Sequence, residues 1–242
     1  MDSGWLSALL EHYDWQSSLL ALLGIIIISK AGKYLAFKVP ALARMKQLNR
    51  EEDKKKLAMD KYRPMVNASK KVGLVCNIGF FVLVLPFCIT QQTMPVWQIL
   101  LNVFIILMFY DFFYYVVHRW WFHGNGAMRK IHAVHHQARS PTFVDAFYVH
   151  PLETFIGLAM FITTIAGLAA LLGPFHVATI TIAFVIYVQI NTINHTFVDL
   201  PYPPFKTLSW ITAKHHVHHL NMHKGNYASI TLLFDKLFGT LD

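Results

Sequence analysis

Three tight groups of histidine stand out: His118-Arg-Trp-Trp-Phe-His123, His132-Ala-Val-His135-His136 and His215-His216-Val-His218-His219. Neutral imidazole is a ligand for iron, copper, zinc and nickel. Each group abuts an apolar segment of membrane-spanning length, so the pattern predicts a buried metal centre beside a bilayer. One zinc takes about four ligands, and the histidines of the three groups are enough for two ions. His132, His135 and His136 are spaced i, i+3, i+4, as are His215, His218 and His219, so each triad shares one helix face. His118 and His123 are five apart and share no α-helical face, which predicts a helix that ends or bends between them, ahead of Gly124 and Gly126. Burying so many imidazoles without a metal or partner would cost about 1–3 kcal/mol per unsatisfied group.

The chain has no HExxH zinc-protease motif, no Glu-x-x-His pair and no CxxC pair, which removes the common zinc-hydrolase, carboxylate-bridged di-iron and cysteine-ligated sites. Acids near the boxes are few: Asp111, Asp145, Glu153, Asp199 and Asp235. A dimetal centre here is therefore mostly imidazole-ligated, and softness and geometry alone leave copper and zinc open.

The boxes must be positioned by helices in a membrane. Of the 242 residues 55% are hydrophobic and only 14% charged, against about 25% charged in soluble domains. Five apolar segments approach the roughly 20 residues that cross a bilayer: Gln16–Phe37, Val72–Thr90, Val96–Val117, Thr154–Gly173 and Phe175–Asn194. The predicted fold class is an all-α integral membrane bundle of four to five transmembrane helices with a cytoplasmic histidine-rich helical cap. Residues 1–95 are read as N-terminal membrane helices and a basic loop, and 96–242 as the catalytic domain.

The net charge is +8, with thirteen of the 21 Lys and Arg in residues 30–71 and none in 72–117 or 151–205. Lys and Arg mark cytoplasmic loops, so the chain is expected to start outside and to return to the cytoplasmic side at His118 and again near His195. All three boxes then reach one face, an outcome not built into the span assignment, while His12 and His176 fall on the other and are excluded as ligands. The 30–71 loop reads as a solvated cytoplasmic helix. No recognised binding motif accompanies its charge, which argues against nucleic acid. Cys76 and Cys88 read as two inert buried thiols, and no removable signal peptide is expected.

The box order HX4H, HX2HH, HX2HH resembles the fatty acid hydroxylase/sterol desaturase superfamily of membrane di-iron oxidoreductases. Further matching pieces are Asp111-Phe-Phe-Tyr-Tyr-Val-Val-His118-Arg119, His150-Pro-Leu-Glu153, Asn194-His195 and the tail Gly225-Asn-Tyr…Phe234-Asp235-Lys-Leu-Phe-Gly-Thr240. The resemblance covers about residues 96–242. It implies two Fe ions that activate O2 to attack an unactivated C–H bond of a membrane lipid, a sterol, fatty acyl chain or relative, by hydroxylation or desaturation. It carries the ligand role onto His118, His123, His132, His135, His136, His215, His218 and His219, adds His195, and offers His150 as a further position. His216 lies on another helix face and His223 has no counterpart.

Ligating imidazoles commonly donate their other N–H to a carboxylate or carbonyl. Asp111, seven residues before His118 and deep in a span, is expected to serve so, with Asp145, Glu153, Asn194 and Asp235 as further candidates, Asp235 alternatively as a cap. The aromatic run from Phe109 to Phe122 fits either interfacial anchoring or the lining of an apolar tunnel. There is no GxGxxG motif and no iron–sulfur cysteine set, so electrons are expected from an external reductase or carrier docking on the basic cytoplasmic face. A zinc-dependent membrane lipid hydrolase, a metal transporter and a metal-binding membrane protein without oxygenase activity are the alternatives; nearly histidine-free spans argue against transport. The absence of a dilysine tail favours a bacterial inner membrane over the endoplasmic reticulum.

Overall fold

The computed structural model describes residues 10–196, 200, 203 and 205–242; Asp199 lies outside them. In chain order these form α1 (Trp15–Ala36), α2 (Pro40–Leu57), α3 (Tyr62–Gly79), β1 (Ile89–Thr90) and α4 (Val96–Val117). There follow a π turn (His118–Phe122), α5 (Ala127–His135), a 3-10 turn (Phe143–Ala146), α6 (Pro151–Leu172), β2 (Phe175–His176), α7 (Val177–Asn194), α8 (Lys206–Leu220) and α9 (Leu233–Leu237).

Among the described residues five stretches are long and apolar enough to cross a membrane: Trp15–Ala36, Tyr62–Phe87, Val96–Phe122, Pro151–Leu172 and Val177–Asn194. The chain is an integral membrane protein with an all-α bundle. Two boundaries differ from the hydropathy reading by more than three residues. The second span begins at Tyr62 rather than Val72, because Pro64 falls in the first turn of the helix, where its missing donor is tolerated, and long cationic side chains reach out of the apolar layer; Lys70 Nζ lies 4.9 Å over the Phe147 ring. The third does not end at His118 but continues through the π turn to Phe122.

Local chemistry sets the starts and stops. Asp14 accepts the Ser17 N–H at 2.9 Å ahead of α1, the N-cap bond a helix end needs. Pro151 occupies the first turn of α6, where its missing donor is not required. Gly173 at φ 89 ends α6, a conformation glycine adopts without steric cost, and turns the chain back into α7.

Helix α7 packs against α1 and α4, and α6 against α3 and α4. Gly24 lets α1 approach closely, since a Cβ there would sit 3.1 Å from Thr181 Cγ2, in the small-residue manner of membrane helix contacts. In the core Phe161 and Tyr187 stack at 4.1 Å, with Tyr110 edge-on to both. Leu23, Ile27, Leu100, Phe104 and Leu171 face outward, as lipid contact requires.

At one end of the bundle β1 pairs in parallel with β2, Ile89 opposite Phe175 and Thr90 opposite His176. His12 lines a cavity with Gln91 and Pro174 at this same end. The boxes gather at the other. Cys76 and Cys88 are both free, and only Cys88 is fully buried. Helix α2 is not merely solvated: Asp53 accepts the Val144 N–H at 3.0 Å, and Lys56 reaches the Ser140 carbonyl at 2.7 Å and pairs with buried Asp145.

Candidate metal centre

The π turn solves the five-residue spacing of the first box. Its i→i+5 bond, His123 N–H to His118 O at 3.0 Å, adds a residue to the helical turn and brings both imidazoles into one cluster; such insertions recur at functional sites. Helices α5 and α8 present the other two boxes, each triad on a single face. Asn194 and His195 follow at the end of α7.

Nine histidines converge in two groups, His118, His123, His132, His136 and His218 in one, and His135, His195, His215 and His219 in the other. Within each, the potential ligand atoms lie within 4.8 Å of one another. Neither triad stays whole: His132 and His136 go to the first group and His135 to the second, while His218 joins the first and His215 and His219 the second. The two groups therefore share α5 and α8.

The ring nitrogens reveal what the groups offer. A carbonyl or carboxylate oxygen only accepts, so the imidazole facing it donates. Nδ1–H of His118 donates to Tyr227 O at 2.6 Å, His123 to Met222 O at 2.8 Å and His218 to Gly225 O at 2.8 Å. His132 donates to Glu153 Oε1 at 2.7 Å, His135 to Tyr148 O at 3.3 Å and His195 to Asn191 O at 2.7 Å.

With the proton on Nδ1, Nε2 carries a lone pair. Yet Nε2 of His118 is 3.0 Å from Nε2 of His132 and 3.2 Å from that of His218, and His135 and His195 approach at 3.0 Å. These are lone pairs facing lone pairs. Burial opposes the alternative of protonated rings: it holds His123, His135 and His195 down at about 4 and His132, His215, His218 and His219 well below the ordinary imidazole value. Neighbouring imidazoles lower most of them further. A cation in each group resolves the repulsion, and the buried, unpartnered Nε2 of His123 is another donor aimed at one. The residues thus fit a transition metal in each group.

The remaining sequence candidates fall elsewhere. His150 joins neither group; its Nδ1 accepts the Leu152 N–H at 3.2 Å as the N-cap of α6. His216 and His223 are also outside both. Of the acids, Glu153 alone meets a box histidine by a hydrogen bond among the described residues. Asp111 instead accepts the N–H groups of Ser229, Ile230 and Thr231 at 2.8–3.0 Å. Asp145 caps Thr142 N–H at 2.7 Å, Asn194 donates to Ser229 O at 2.8 Å, and Asp235 accepts from Tyr227 and Ala228 N–H, each at 2.8 Å. Sequence reasoning missed the main-chain carbonyls of Tyr148, Asn191, Met222, Gly225 and Tyr227. Only the turn-forming Gly225-Asn226 hints at them; Asn226 sits at φ 64, which asparagine tolerates.

A cavity of about 180 Å³ runs from Gly73, Gly157 and Leu158, between α3 and α6, past Tyr110, Tyr114 and Tyr187. Its inner wall includes His118 of one group and His135, His195 and His215 of the other. Trp120 and Trp121 are instead exposed. The aromatic run thus divides: Tyr110 and Tyr114 line the cavity, Tyr115 stacks on Phe238, and the tryptophans face outward.

Residues 103–240, more than half of the chain, match the fatty acid hydroxylase family. The chain belongs to the fatty acid hydroxylase/sterol desaturase superfamily. It is similar to methylsterol monooxygenase 1 of Rattus norvegicus, 33% identical over 175 residues, 70% of this chain and 57% of that protein. The Gallus gallus protein of the same name is also 33% identical over 175 residues, 70% of this chain and 56% of that protein. A very-long-chain aldehyde decarbonylase of Oryza sativa subsp. indica is 33% identical over 153 residues, 61% of this chain and 54% of that protein. The chain thus spans little more than half the length of these curated relatives. No solved structure matches it. All nine converging histidines lie within the family match.

Proposed function

We propose that this chain is a membrane-bound, di-iron, O2-dependent lipid oxidoreductase that hydroxylates or desaturates an aliphatic C–H bond. The carrying observation is the pair of histidine groups, their Nε2 lone pairs turned inward, at the end of a cavity that opens between α3 and α6. His118, His123, His132, His136 and His218 would hold one iron, and His135, His195, His215 and His219 the other. Imidazole sets of this kind suit iron, and the similarity to a methylsterol monooxygenase supports iron over zinc. Residues 96–242 carry this apparatus, and 1–95 supply membrane helices and the basic loop.

When bound, the irons supply O2 reduction and hydrogen-atom abstraction. The protein's own residues do the rest. Gly73 and Gly157 leave room for an acyl or ring system arriving from the bilayer, and the buried tyrosines Tyr110, Tyr114 and Tyr187 guide it to the groups while excluding water. Glu153 holds His132 in one tautomer, and main-chain carbonyls hold five of the others. The Lys and Arg of α2 and the boxes put this end on the cytoplasmic side, where an external electron carrier docks; turnover with NADPH alone and no carrier would refute that partner. An inner bacterial membrane is the expected location.

The test is elemental analysis and Mössbauer spectroscopy of detergent-purified protein grown on iron-57, with His135→Ala alongside. About two irons per chain, one of them lost in the variant, is the result expected from two ligand sets. One tightly held zinc, with no iron even after anaerobic loading, would overturn the reading.

A further inference from the structure

The two histidine groups lean on their surroundings unequally. In the five-histidine group His118, His123 and His218 all donate to carbonyls of one segment, residues 222–227. In the four-histidine group His135 and His195 donate instead to Tyr148 and Asn191. Segment 222–231 forms neither helix nor strand, so its carbonyls owe their direction to other contacts. Two fully buried carboxylates supply them. Asp235 takes Tyr227 N–H on Oδ1 and Ala228 N–H on Oδ2, each at 2.8 Å, and Asp111 takes the next three amides, at Ser229, Ile230 and Thr231. Hydrogen bonds to an ionised acceptor are about twice as strong as neutral ones.

We propose that Asp111 and Asp235 are positioning residues for one metal site only: through the carbonyls of residues 222–227 they set the affinity of the five-histidine group and leave the four-histidine group unaffected. This rests on the two-iron reading. In Asp235→Asn one oxygen becomes an NH2 donor facing an amide N–H, so Tyr227 or Ala228 must turn away and take the carbonyl array with it. A general loss of fold would weaken both sites together. A positioning role weakens one.

The experiment loads the full-length, detergent-purified chain anaerobically with ferrous iron, counts iron after desalting, and measures affinity by chelator competition. Wild type is expected to hold about two irons, and Asp235→Asn about one, the affected site weakened at least about tenfold. Asp235→Asn combined with His218→Ala should hold no less than Asp235→Asn alone, whereas the combination with His215→Ala should hold almost none. Thr240→Val, which removes the hydroxyl that donates to Asp235 Oδ1 at 2.8 Å and meets Tyr115 OH at 3.0 Å, while Tyr115 OH keeps Arg119, serves as a milder variant if Asp235→Asn is not monodisperse; it should weaken the same iron several-fold. Two irons at wild-type affinity in these variants, or equal weakening of both irons, would overturn the positioning role. Wild type that binds no iron would overturn the two-iron reading itself and the role with it.

Discussion

An imidazole has two nitrogens, and the partner of one decides what the other offers. Six of the nine converging histidines have Nδ1 committed to an oxygen, which leaves Nε2 as a lone pair aimed at its neighbours. Only at His132 is that oxygen a carboxylate, Glu153. In Glu153→Gln the N–H keeps an acceptor but loses the negative charge that strengthens the ligand. Affinity for one iron is expected to fall about 10–100-fold, read by chelator competition, with the helical circular dichroism unchanged. Eight of the nine converging histidines are legible in the box spacing, and His195 only in the family resemblance. Their oxygen partners are mostly not legible, because a main-chain carbonyl belongs to every residue and leaves no trace in side-chain type.

At the scale of elements, the i, i+3, i+4 triads read directly as helix faces, since helical periodicity is local. That one face serves both metal groups was not visible, because a shared face does not require a shared target. The HX4H spacing predicts a helix that ends or bends between its histidines, and the chain meets it with a π turn. The turn leans on Gly124, where a Cβ would sit 2.1 Å from the Trp120 carbonyl oxygen. Gly124→Ala must therefore displace that carbonyl. Expected are a loss of about 1–3 kcal/mol in stability, measured by thermal unfolding, and weaker iron binding in the five-histidine group that contains His118 and His123. Unchanged stability and iron content would show that the turn tolerates the methyl group.

At the scale of the whole molecule, the spans carry the boxes to one end of the bundle and β1, β2 and His12 to the other. Cysteines placed singly at Gln92 and Arg139, in a Cys76→Ser/Cys88→Ser background, are expected to react with an impermeant maleimide from opposite sides of the membrane, Gln92 from outside the cell. Labelling of both from one side would contradict the five-span topology. Facing lone pairs repel, so bound metal is expected to stabilise the fold. A ligand at a thousand times its Kd stabilises the folded state by about 4 kcal/mol, so stripping the iron with a chelator should lower the melting temperature, and reloading should restore it.

The sequence by itself determined the membrane class, the common end for the three boxes and the eight box histidines of the cluster, because hydropathy, charge bias and helical spacing are properties of residues and their near neighbours; His195 was legible only through the family resemblance. Tertiary structure decided how the nine histidines divide between two groups and that His150 caps a helix. It also decided that Asp111 and Asp235 grip a main-chain segment more than a hundred positions from Asp111. Those choices depend on which backbone oxygens meet which rings after helices distant in sequence have packed, and no local pattern encodes that meeting.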